Sequence, residues 1–136
     1  MNGVEYLGGV ENPLAIIIRQ NAKSESIDFV TEQESNFQIG IMRRPNGYKI
    51  PSHFHNPVKR EITGTQEVLM IRSGLCAIHI TDGDNLAFES ELMAGDVIFL
   101  ARGVHSIEML EECEILEVKQ GPYAGVNDKT IIEMPR

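Results

Sequence analysis

His53 and His55 are two of only four histidines in the chain, set two residues apart in Gly47-Tyr48-Lys49-Ile50-Pro51-Ser52-His53-Phe54-His55. The stretch reads as extended, and an extended chain turns successive side chains to opposite faces. The two imidazoles therefore share a face and can converge, which makes half of a metal site. The next carboxylate in a strand position is Glu67, in Glu67-Val68-Leu69-Met70-Ile71-Arg72-Ser73-Gly74. It faces the same cavity if its strand pairs back against the histidine stretch. His105, after the turn at Arg102-Gly103, completes the set. Three imidazoles and a carboxylate suit one divalent transition metal (Zn, Fe, Mn, Ni or Co), with an open position for substrate.

Other residues carry chemistry of their own. Arg43, Arg44, Lys49, Lys59 and Arg60 flank the histidines and are five of twelve basic residues in an acidic chain. Solvated charge is the plainer reading. The sharper one is that Arg43, Arg44 and Arg60 hold an anionic substrate at the cavity mouth. Tyr123, in Gly121-Pro122-Tyr123, is a candidate proton donor, or an anchor where the chain leaves the core. His79, between Ile78 and Ile80, reads as structural. The loop from Asn56 to Gln66 is long enough for a lid.

These residues need a frame of strands. Leu14–Arg19 is a short β-branched run. Ile27–Val30 suits a strand and Thr31–Glu34 a turn or one helical turn, and Phe37, Ile39 and Ile41 alternate with Gln38, Gly40 and Met42. Pro45-Asn46-Gly47 is a turn. Strands are expected at 67–72, 75–81, 86–92, 97–100, 104–110 and 114–119, with a last short one at 130–133. Asp82-Gly83-Asp84-Asn85 is the clearest hairpin signal. Residues 1–13 read as a polar arm. No segment keeps a helical period over ten residues, so the chain reads as one all-β antiparallel domain over 1–136, sandwich or barrel. Its core would span about 37–120, with the strand at 14–19 and the tail at 121–136 packing on it.

Composition agrees with a soluble globular domain. Of 136 residues, 42% are hydrophobic and 24% charged, enough apolar content to bury a core. The net charge of −8 disfavours nucleic acid and anionic membranes as partners. No leader pattern is visible, and the longest aliphatic run, Leu14–Ile18, falls far short of the ~20 residues of a membrane helix. Cys76 and Cys113 form no CxxC, sit in apolar runs and read as small hydrophobes. A cytoplasmic, reducing setting is expected, with a disulfide between the two left open.

Gly47, five residues, His53-Phe54-His55, then Glu67, six residues and Gly74 resembles the first motif of the cupins. Gly95-Asp96 with Val97–Leu100, Arg102-Gly103 and His105 resembles the second. The resemblance covers about 37–120 and implies a small antiparallel jelly-roll β-barrel. There are two departures. The loop between His55 and Glu67 is longer than the family pattern, which makes Glu61 a rival ligand; the spacing to Gly74 and the apolar strand context favour Glu67. Only Val104 separates Gly103 from His105, so Ser106 holds the usual position, and a one-residue slip reverses the face of a strand side chain.

The resemblance implies a metal-binding cupin that binds or transforms a small molecule by oxygenation, isomerisation or lyase chemistry. Small cupins also include metal-independent sugar-nucleotide isomerases and epimerases, and modules that bind without catalysis. A homodimer is expected, from the family and from apolar side chains on both faces of Glu67–Ile71.

Overall fold

The computed structural model describes residues 1–134. Among these are ten strands: β1 Val4–Leu7, β2 Ala15–Ile18, β3 Ile27–Phe29, β4 Gly40–Met42, β5 Glu67–Ser73, β6 Leu75–Thr81, β7 Ala87–Met93, β8 Val97–Leu100, β9 Val104–Met109 and β10 Glu114–Lys119. All pairings are antiparallel. The described residues fall into two compact units, one made of 1–22 and 65–134, the other of 23–64.

The larger unit holds a five-stranded sheet, order β1-β2-β8-β5-β10, and a three-stranded sheet, order β7-β6-β9. They share one core, to which β2 gives Ile17, β5 gives Leu69 and Ile71, β6 gives Cys76, Ile78 and Ile80, and β8 gives Ile98 and Leu100. Strand β2 is buried throughout and β8 nearly so, as the unbroken apolar runs at 14–18 and 97–100 require. β7 alternates, with only Leu92 fully buried. The sequence expectation for 1–13 needs correcting: Val4-Glu5-Tyr6-Leu7 pairs with β2 as an edge strand.

Two turns hold this frame. At the β6–β7 hairpin, Asp82 Oδ1 accepts the backbone N–H of Asp84 and of Leu86, both at 2.9 Å, as an Asx turn does. At Gly95-Asp96 the Asp96 carboxylate is buried and fully used. It accepts from Arg19 Nη1 (3.1 Å), Gln20 N (2.9 Å) and Met93 N (3.0 Å). Asp96 thereby fastens β7, the turn before β8 and the end of β2 at one point.

Gly74 lies between β5 and β6, where the chain passes from the five-stranded to the three-stranded sheet. Its φ is +89°, and a Cβ there would collide with the carbonyl oxygen of Glu112. Only glycine meets both conditions.

In the smaller unit β3 and β4 form a two-stranded ladder extended by Val30 N to Ile39 O (2.8 Å). Pro45-Asn46-Gly47 is a turn, with Tyr48 N bonded to Pro45 O (3.2 Å) and Gly47 at φ +83°. The histidine stretch that follows is not a strand: residues 48–63 carry no regular structure and are exposed throughout. Pro51 and Pro57 each remove a donor, and no strand flanks the stretch in a ladder. The short strand expected at 130–133 does not form; among the described residues the one element past β10 is a 3₁₀ turn, Gly125–Asn127.

Candidate functional site

Glu67 opens β5 and lies opposite Lys119 of β10 and Leu100 of β8. Strand alternation puts it on the face of Leu69 and Ile71, which point into the core. His105, in β9, lies opposite Ile80 of β6, also a core residue, so it too turns inward. Ser106 lies opposite His79 on the other face. The turn at Arg102-Gly103, with Gly103 at φ +88°, delivers His105 rather than Ser106 to the interior. His79 is on the outer face, 3.8 Å from Glu89, in keeping with a structural role.

Glu67 and His105 meet across the sandwich, His105 Nε2 being 3.7 Å from Glu67 Oε2. Their side chains are 19% and 35% exposed, so the pair is shielded but reachable. It sits at the rim of a cavity of about 310 Å³ with an apolar floor of Leu69, Ile107 and Ile115. Glu117 and Lys129 complete the polar rim. Glu117 faces inward because its position in β10 lies opposite Leu69. Neither Glu117 nor Lys129 stands out in the sequence as a residue of this site. The β10 alternation marks Glu117 once its register with β5 is known, whereas no pattern marks Lys129.

The electrostatics follow from this packing. Burial, with the Glu117 carboxylate adding, pushes the Glu67 carboxyl above its ordinary value; His105 and Lys119 pull the other way. Lys119 is held above the ordinary lysine value chiefly by Asp128, 3.5 Å from its Nζ. Tyr123 is 75% exposed, and its ring packs under the Lys119 ammonium at 5.7 Å. It does not line the Glu67–His105 cavity.

His53 and His55 lie in the smaller unit. Although the segment is not a strand, their rings are close, with centroids 5.4 Å apart and planes at 71°. His53 Nδ1 is 2.7 Å from the Pro51 carbonyl, which can only accept. Nδ1 therefore carries the proton, and in the neutral ring the free lone pair belongs to Nε2. That backbone contact is the kind that fixes the tautomer of a metal-ligating histidine.

The expected pairing of Glu67's strand with the histidine stretch does not occur, because β8 and β10 already occupy both edges of β5. Arg43 lies 4.0 Å from Glu25. Arg44 donates to Ser26 Oγ (2.8 Å) and stacks on Tyr48 at 5.1 Å. Arg60 and Glu61 are exposed. Among the described residues no three or more His, Cys, Asp or Glu side chains are grouped to hold a metal ion. Each unit supplies one pair of donors.

Comparisons with protein-family models, with curated proteins and with solved structures return no match. No helix among the described residues is long and apolar enough to cross a membrane.

Proposed function

We propose that this protein is a metal-binding cupin of jelly-roll type that binds or transforms a small anionic molecule at the Glu67–His105 cavity. The observation that carries the reading is the meeting of Glu67 and His105. They lie in different sheets, and the sequence spacing had marked both independently. A carboxylate oxygen and an imidazole nitrogen over an apolar floor suit half a coordination sphere beside a small organic ligand. His53 and His55 are the remaining ligands in the sequence pattern, and the His53 tautomer leaves Nε2 able to coordinate. A divalent metal, when bound, supplies Lewis acidity. The chain's own part is to orient the ligand on Leu69, Ile107 and Ile115 and to offer Lys129 to an anionic group.

Metal analysis of protein purified without chelator from metal-replete medium tests the reading. One metal per chain is expected, lost both in His105→Ala and in the His53→Ala, His55→Ala double variant. Metal-free wild-type protein that is fully folded would overturn it.

A second reading draws on the same pair. A histidine next to a carboxylate can move protons without a metal, as a sugar-nucleotide isomerase or epimerase requires. Tyr123 lies beneath the Lys119 ammonium and is not in the cavity lining, which gives this reading no support from a tyrosine acid. The assembly we propose is a homodimer; Met70, Leu116 and Val118 leave apolar side chains exposed on the outer face of β5 and β10. A monomeric mass by sedimentation would refute it.

A further inference from the structure

The two cysteines are 37 positions apart in sequence, yet the fold brings both to one core, Cys76 within it and Cys113 packed against it. Cys76 is the second residue of β6 and fully buried in the shared core; Cys113, just before β10, packs half-buried against that core. The turn containing Cys113 is clasped to the residue next to Cys76. The Leu75 carbonyl accepts from Leu110 N (3.0 Å), Glu111 N (3.1 Å) and the Cys113 thiol (3.2 Å). Gly74 makes this approach possible, since a Cβ there would stand 2.8 Å from the Cys113 sulfur as well as striking Glu112. Both cysteines are free.

We propose that Cys76 and Cys113 are an oxidation site, converted by a peroxide into a reversible disulfide that ties the three-stranded sheet to the start of β10. The order of events follows from access. Cys113, the part-exposed thiol, attacks as thiolate on a peroxide oxygen; the O–O bond breaks, hydroxide leaves and takes a proton as water, and Cys113 becomes a sulfenic acid. The sulfur of Cys76 then attacks the Cys113 sulfur, the S–O bond breaks, and the departing hydroxide takes the Cys76 proton. Two thiols lose two electrons and two protons, and hydrogen peroxide becomes two waters. Burial, with Cys113 adding, pushes the Cys76 thiol up, so the part-exposed Cys113 and not Cys76 is the thiol that meets the peroxide first. A dithiol reductant reverses the bond by exchange. The site is separate from the Glu67–His105 cavity and does not depend on the function proposed there.

Intact-mass analysis of the full chain after equimolar hydrogen peroxide tests the inference. The expected result is loss of two hydrogens, loss of both alkylatable thiols after denaturation, and a digest fragment joining the peptides of Cys76 and Cys113. All three should revert with a dithiol. In Cys76→Ser the reaction should stop at a Cys113 sulfenic acid captured by dimedone; in Cys113→Ser, Cys76 should stay alkylatable. Treated wild-type protein that keeps both thiols, or forms bonds only between chains, would overturn the proposal. That measurement needs no variant to fold.

Discussion

Glu67 ties the chemistry of the site to its stability. Its folded-state carboxyl titrates above the ordinary value because burial and Glu117 disfavour its charge. A carboxyl raised on folding binds more protons in the native state than in the unfolded one. Its contribution is therefore fully present below the ordinary value of 4.5 and lost as pH rises through the higher folded value. Glu67→Gln should flatten this part of the stability–pH curve, as followed by chemical denaturation across the acid range; an unchanged curve would refute the assignment. Asp96 is a buried carboxylate whose oxygens accept three hydrogen bonds. Asp96→Ala would leave the buried-side N–H groups of Gln20 and Met93 without their acceptor and remove one of the several partners of Arg19, and a loss of about 3 kcal/mol is expected by denaturant titration. Both residues could be read from sequence, Glu67 as a carboxylate opening an apolar strand and Asp96 as the residue after a turn glycine. Lys129 could not, because it reaches the cavity from a segment without periodic structure.

At the scale of elements, strands were legible and their partners were not. The apolar runs and the glycine turns place β5 to β10 within a residue or two, since alternation and turn chemistry are local. The expected partnership between β5 and the histidine stretch failed because pairing is decided elsewhere, by strands β8 and β10 that start thirty and forty-seven positions after β5 does. The polar arm misread at 1–13 has the same cause, since Val4–Leu7 becomes a strand only against β2. The crossing between sheets gives a test. Gly74 and Gly83 share a positive φ, but a Cβ at Gly83 meets nothing within 4 Å. Gly83→Ala should cost about 1 kcal/mol from backbone strain alone, and Gly74→Ala should cost at least about 2 kcal/mol more, read by thermal or denaturant unfolding.

At the scale of the molecule, regular structure and chemistry are unevenly shared. The larger unit has a common core for its two sheets, while the smaller has one short ladder and a long exposed segment that carries His53, His55, Lys59 and Arg60. Exposed backbone outside any ladder is where proteases enter first. Trypsin under native conditions should therefore cut at Lys59 or Arg60 before any site in β5–β10; a first cut within those strands would contradict this description.

Strand β2 gives the fold a constraint in time. Ala15–Ile18 pairs on one side with β1, already made, and on the other with β8, which begins at Val97. Nearly eighty residues must therefore leave the ribosome before Ile16, Ile17 and Ile18 find their second partner. At synthesis rates of ~5–20 residues per second that is a wait of several seconds or more, during which a β-branched run is open to the wrong neighbour. The nascent chain, more than the finished protein, is where this sequence is most exposed to aggregation.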